Sequence, residues 1–355
     1  MKYIATTHCT ATELSHEQRI VSEKYPFRVS PYYASLIRSA GDAVWRQCIP
    51  DVRELEDDGL VDDPLSEHAL SPVPGLIHRY PDRVVLLVSN RCPVYCRFCM
   101  RKRHVGGDIL SEPVVNLDQA AAYIASRPEI CDVVLSGGDP LMLDDDSLQL
   151  ILLRLREIGH VRFIRIGTRV PVTLPERITP ELCSMLRRFH PLFINTHFNH
   201  PQEITPDSAR ACASLADAGI PLGNQTVLLR GVNDTETVMR DLLTGLLSIR
   251  VKPYYLHQMD VIRGGGHFRT PVTTGLDIIR SLRGHVSGMA IPHFVIDLPE
   301  GKGKVPLLPD PVVRDGDVFY LTTYRGEVVA YHDIVTLTGA DEPVQSGHGI
   351  TAVPV

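Results

Sequence analysis

From Val84 onward the apolar positions fall into a regular alternation. Short β-branched or aliphatic runs recur at residues 84–88, 133–135, 163–166, 192–195, 226–229 and 253–256. Between them, at 117–126, 146–158, 180–189, 206–218, 236–249 and 273–282, apolar residues return at helical spacing. The repeat therefore switches between about two residues, as in a strand, and about 3.6, as in a helix. Alternating strands and helices with short connections predict parallel βα units and an α/β fold. Six units fit an incomplete (βα)6 barrel, and a doubly wound open sheet is the competing topology. Either fold collects its chemistry at the carboxyl ends of the strands.

The flanks carry a different pattern. Ser15 before Glu17 and Gln18 predicts a helix start, and Pro31 another. The acidic stretch from Glu54 reads as a solvated surface. Ser71-Pro-Val-Pro-Gly75 breaks the chain. The expected organisation is a helical N-terminal extension over 1–75, a barrel over 76–300, and a C-terminal part over 301–355. That last part holds a Gly/Lys-rich loop and a small antiparallel element, with strands at 318–322 and 327–331.

Composition narrows the field. The 355 residues are 44% apolar, enough for a sizeable core, and the formal charge of −6 gives no reason to expect nucleic acid or an anionic membrane as partner. No apolar run approaches the roughly 20 residues that span a bilayer. The opening residues lack the apolar core of a signal peptide. Of eight cysteines, three cluster, while Cys9, Cys48, Cys131, Cys183 and Cys212 are scattered without a disulfide framework. A reducing, cytoplasmic address is expected.

The clustered cysteines lie in Ser89-Asn-Arg-Cys-Pro-Val-Tyr-Cys-Arg-Phe-Cys-Met-Arg101, directly after the first strand. Cys92, Cys96 and Cys99 form a soft-metal array. A four-iron cubane with three local thiolates keeps one iron open for a ligand to chelate. A zinc knuckle closed by His104 is the alternative. The second strand ends in Leu135-Ser-Gly-Gly-Asp-Pro140, where glycines allow close backbone approach and Asp139 suits an ammonium. His197 and His200 read either as a metal pair or as hydrogen-bonding groups for a ligand. Lys302 and Lys304 belong to no Walker loop, and by themselves read as solvated lysines.

With Phe98 before its last cysteine, this loop resembles the signature of radical S-adenosylmethionine (SAM) enzymes. Across nearly the whole chain from about Tyr25, the sequence is similar to the lysine 2,3-aminomutase family, which also uses pyridoxal phosphate (PLP). The resemblance covers Pro72-Val-Pro-Gly-Leu-Ile-His-Arg-Tyr-Pro-Asp-Arg83, the cysteine loop, Leu135-Ser-Gly-Gly-Asp, Asn195-Thr-His-Phe-Asn-His-Pro201, Gly223-Asn-Gln and His267-Phe-Arg-Thr-Pro271. It implies that Cys92, Cys96 and Cys99 hold a [4Fe–4S] cluster. Ser136, Gly137, Gly138, Asp139, His197 and Gln225 are implied near SAM, and Arg79, Tyr80 and Arg83 near PLP. It makes Lys304 the PLP Schiff-base lysine, Arg101 the clamp on the substrate carboxylate, and Asp260 and Asp297 the grip on a side-chain ammonium.

The implied reaction is the conversion of L-lysine to β-lysine through a 5′-deoxyadenosyl radical, fed by a flavodoxin or ferredoxin-type reductant. Another cationic substrate such as arginine, or a non-catalytic cofactor-binding protein of the same fold, are the rival readings. Family members carry zinc on C-terminal cysteines and one internal cysteine. Here no cysteine follows Cys212, and Thr235 takes the internal position. No zinc is expected, and the homo-oligomer is left open between dimer and tetramer.

Overall fold

The computed structural model describes residues 14–56, 59–106, 115–310 and 312–333. Cys9 and the end of the tail lie outside them. Three short helices come first: α1 (His16–Lys24), α2 (Pro31–Ser35) and α3 (Ala43–Cys48). Each is begun by a side chain that accepts an otherwise unpaired backbone N–H: Ser15 from Gln18, Ser30 from Tyr33, Asp42 from Trp45. Ser15 and Gln18 complete a capping box.

Strand β1 (Leu76–Tyr80) pairs antiparallel with β2 (Arg83–Ser89), which opens a parallel run. This continues through β3 (Asp132–Gly137), β4 (Phe163–Gly167), β5 (Leu192–Thr196), β6 (Leu222–Leu228), β7 (Lys252–Gln258) and β8 (His293–Leu298). Strand β9 (Gly303–Pro306) returns antiparallel to β8. Helices α4 (Leu117–Ala125), α5 (Asp145–Arg156), α6 (Val170–Thr173), α7 (Pro180–Arg187), α8 (Pro206–Asp217), α9 (Glu236–Ser248) and α10 (Val272–Leu282) fill the crossovers.

The six expected βα units stand in order, and β8 adds a seventh parallel strand. Strand β6 starts at Leu222, four residues before the apolar run, because Gly223, Asn224 and Gln225 interrupt the hydrophobic pattern. One core unites strand residues such as Leu86, Leu135, Ile164 and Ile194 with helix residues such as Ile124, Leu148, Leu182 and Leu246. Each such side chain contributes about 1.5–3 kcal/mol by leaving water.

The sheet is nearly closed as a barrel. Its end strands β1 and β9 do not pair as a ladder, yet side chains of β1 reach across the gap to β9 and β8. The Tyr80 hydroxyl accepts the Lys304 backbone N–H at 2.8 Å, and Arg79 Nη1 lies 3.4 Å from Asp297 Oδ1. Gly303 sits at φ +100°, and a Cβ there would stand 3.2 Å from the Tyr80 hydroxyl.

The chain divides into two compact units after Pro309. The expected boundaries at 75 and 300 are therefore displaced. The N-terminal helices belong with the barrel, and the strand bearing Lys304 pairs with β8 instead of joining the C-terminal element. That second unit contains β10 (Val313–Asp315), β11 (Val318–Thr322) and β12 (Val328–His332), an antiparallel meander. Among the described residues no helix is long and apolar enough to cross a membrane.

Candidate active site

The cysteine loop leaves β2 at Ser89, whose hydroxyl accepts the Arg91 N–H. Between the cysteines, Arg97 is 1% exposed. Its guanidinium donates to both Glu54 oxygens, at 2.8 and 2.7 Å, and to Pro26 O at 2.9 Å. Glu54 also accepts from Lys102 at 2.9 Å. The acidic stretch is thus not wholly a solvated surface: Glu54 is buried and ties the N-terminal segment to the loop, because a buried arginine needs a buried carboxylate. Burial and the neighbouring charges of Asp139, Cys99 and Cys96 push the Cys92 thiol well up, and burial and Cys96 push Cys99 up to about 11. These groups become thiolates when a metal binds their sulfurs and their protons are released to water.

Among the described residues, no three His, Cys, Asp or Glu side chains converge on the position of a single metal ion. A four-iron cluster offers each of the three thiolates its own iron. Arg169 reaches the same loop: Nη1 donates to Cys96 Sγ at 2.8 Å, and Nη2 to Glu203 Oε1 at 2.7 Å and Tyr33 Oη at 3.0 Å.

The turn after β3 grips the base of the cysteine loop. Gly138 N–H donates to Ser89 O at 2.5 Å, and Asp139 N–H to Arg91 O at 2.7 Å. A Cβ at Gly137 would lie 2.3 Å from Ser89 O, and one at Gly138 2.5 Å from Arg91 O. The close approach these glycines permit is to the chain's own backbone. Asp139, expected to suit an ammonium, is engaged by the chain's own donors. Its carboxylate accepts from Thr168 Oγ1 at 2.6 Å, Arg169 N at 2.7 Å and Leu141 N at 3.0 Å. Those bonds use it to join two strand-end loops.

His197 and His200 part company. His197 Nε2 bonds Asn199 Oδ1 at 3.0 Å, its ring packs edge-on against Phe98, and burial and then the Arg169 charge hold it well below the usual imidazole range. His200 Nδ1 accepts the Gln202 N–H as a cap, so the two rings make no metal pair. Gln225 lies in mid-strand on the half-exposed face of β6.

A second group gathers where the sheet nearly closes. Lys304 Nζ donates to both oxygens of Asp297, at 2.6 and 2.5 Å. His257 Nδ1 bonds the same carboxylate at 3.2 Å. Burial opposes the Asp297 charge, but the His257 bond and the Lys304 ammonium win and hold it far below the carboxylate range. Burial and then Asp297 push the neighbouring Asp260 up to about 7. Arg83 stacks over the Tyr80 ring at 4.7 Å and pairs with Asp82. Arg79 Nε is buried and has no hydrogen-bond partner among the described residues. A free donor on Arg79, with Arg83 and the Lys304 amine nearby, fits a phosphate-bearing aldehyde such as PLP.

Arg101 donates to Glu67 and Ser136. Its charge, like those of Glu67, Lys304 and Asp297, acts on Asp260. Arg97, Arg169, Glu67 and His257 were given no role in the sequence reading, although Arg97 stands between two cysteines and Arg169 and His257 at strand ends.

A parallel, nearly closed sheet with a three-thiol loop after its first parallel strand defines a radical-SAM protein. Residues 86–243 match the model of the Radical SAM superfamily, and residues 279–341 match the model described as Lysine-2,3-aminomutase. The chain is 50% identical over 314 residues to the L-lysine 2,3-aminomutase of Clostridium subterminale, which covers 87% of this chain and 76% of that protein. It is 50% identical over 307 residues to the corresponding enzyme of Fusobacterium nucleatum, covering 85% and 72%. It is also 46% identical over 316 residues to a glutamate 2,3-aminomutase of Clostridioides difficile, covering 88% and 75%. The chain belongs to the lysine 2,3-aminomutase family of radical-SAM isomerases, whose members use a [4Fe–4S] cluster, SAM and PLP.

Proposed function

We propose that this aminomutase acts on L-lysine, moving its amino group from C2 to C3 to give β-lysine. Identity of 50% against 46% does not separate lysine from glutamate. The observation that carries the choice is Asp297, whose two oxygens already grip an alkylammonium, that of Lys304. A substrate lysine ends in the same chemical group. A second acid, Asp260, shares the site, and two carboxylates repel a glutamate side chain.

When bound, the cluster with SAM supplies a 5′-deoxyadenosyl radical, and PLP supplies the conjugated system that lets nitrogen migrate. Cys92, Cys96 and Cys99 hold the cluster. Ser136, Gly137, Gly138, His197 and Gln225 border the SAM position, while Asp139 and Arg169 brace the loops around it. Lys304 holds PLP, with Arg79, Tyr80 and Arg83 about its phosphate and ring. An amine committed to PLP leaves Asp297 to the substrate tail. Arg101 takes the substrate carboxylate, so both ends of the amino acid are fixed and its C2–C3 bond is aimed.

The chemistry needs one electron from a low-potential donor, of flavodoxin or ferredoxin type, in a reducing cytoplasm. A homo-oligomer is supported by the second unit. On one face of its sheet Phe319, Leu321, Val329 and Tyr331 stand together, with Leu321, Val329 and Tyr331 exposed. The test of substrate is an anaerobic assay of protein reconstituted with iron, sulfide, SAM and PLP, offered lysine, arginine, glutamate and alanine separately. A β-amino isomer from lysine alone is expected; preferential turnover of any other would overturn the assignment.

A further inference from the structure

Arg101 is held before any substrate arrives. Its Nε donates to both Glu67 oxygens, at 3.2 and 3.0 Å, and its Nη2 donates to Glu67 Oε1 at 2.6 Å. Nη1 donates to Ser136 Oγ at 3.0 Å. A guanidinium carries five N–H donors in a planar fork. Glu67 occupies those on Nε and one on Nη2, and Ser136 one on Nη1. One donor remains on each Nη, so the guanidinium can still donate to a second carboxylate.

Glu67 is itself fixed. It is 4% exposed, its N–H donates to Asp63 Oδ1 at 3.0 Å, and Arg103 Nη2 donates to its Oε2 at 3.2 Å. Against burial, the Arg101 charge holds its carboxyl below the usual range, so it stays ionised. The same stretch of chain supports the loop that leads to Lys304. Pro64 O accepts the Glu300 N–H at 3.1 Å. Gly301 has φ +72°, and a Cβ there would come within 2.9 Å of Leu65 O.

We infer that Glu67 is a positioning residue that aims Arg101 at the α-carboxylate of the substrate, so that a segment of the N-terminal extension sets amino-acid recognition inside the barrel. The inference rests on Arg101 being the carboxylate clamp. A free arginine would lose its rotamer freedom on gripping the substrate; Glu67 has removed that cost in advance. It also supplies the counter-charge that a buried guanidinium requires.

The test compares L-lysine with L-lysinamide, which keeps the cationic tail and the α-amine but has no carboxylate. In the reconstituted holoenzyme, Glu67→Gln is expected to raise KM for L-lysine about tenfold while kcat changes less than about threefold. The affinity of L-lysinamide as a competitor should stay unchanged. Glu67→Asp, which keeps the charge but shortens the reach, should move L-lysine in the same direction and guards against a folding failure of the first variant. Equal weakening of both ligands would show a merely structural residue and overturn the inference, as would no change in either. Arg101→Gln separates the two levels. If it abolishes the preference for lysine over lysinamide and the Glu67 variants do not, only the inference fails. If it too leaves the preference intact, the clamp reading fails with it.

Discussion

Asp297 joins Lys304, Arg79 and the His257 ring around one carboxylate. Its expected partner, a substrate ammonium, competes with Lys304 for the same two oxygens. Asp297→Asn should therefore raise KM for lysine roughly a hundredfold, within the 2–5 kcal/mol that losing a buried charge partner costs. Steady-state kinetics check this. PLP-free protein should bind lysine more weakly than PLP-free Lys304→Ala, in which the internal ammonium is gone; calorimetry checks that, and equal binding would refute the competition.

Asp260 gives a pH signature. Its carboxyl is pushed up to about 7 by burial and Asp297, with Glu67 adding to the shift and Lys304 and Arg101 opposing it. A raised folded pKa means that the folded protein keeps a proton which the unfolded chain has lost. The stability this gives is present at acid pH and is lost as pH rises through about 7. Between about pH 5 and about pH 7, the melting temperature of ligand-free protein should fall more steeply than that of Asp260→Asn. As pH rises through about 7, KM for lysine should fall, because the ionised acid grips a cation. Parallel melting curves for the two proteins would contradict the assignment.

Among the elements, the turn after β3 and the cysteine loop act as one piece. Gly138→Ala would drive a methyl to 2.5 Å from Arg91 O. It should cost about 1–3 kcal/mol and lower the iron bound per chain; iron analysis with thermal melting checks both. The regular βα elements were legible because each repeats an apolar pattern against one shared core. Strands β1 and β9 were not, since these short edge strands, with His78, Arg79 and Lys304 among their residues, carry no clean alternation. Strand β6 began early for a related reason: Gly223, Asn224 and Gln225 stand where the pattern would show apolar residues. Cys92, Cys96 and Cys99 stood out by their local spacing, whereas Lys304 alone read as a solvated lysine and took its role only from the family resemblance. Glu67, Arg169 and His257 did not stand out, because each finds its partner far along the chain, as Arg169 finds Tyr33 and Cys96. No local spacing records such a pair.

At the scale of the whole molecule, the −6 charge and the acid pair both favour a small cationic substrate. The exposed Leu321, Val329 and Tyr331 beside Phe319 point to association through the second unit. Leu321→Glu should shift the protein toward monomer in light scattering after size exclusion, and an unchanged mass would count against that face. The central claim is that two carboxylates select an ammonium-tailed amino acid. Its most direct measurement is the ratio of kcat/KM for L-lysine to that for L-glutamate, taken anaerobically for the wild type and for the Asp260→Asn, Asp297→Asn double variant. The account predicts a wild-type ratio of at least about a thousand that falls at least about a hundredfold in the variant. A wild-type ratio near unity, or a high ratio that survives both substitutions, would contradict it.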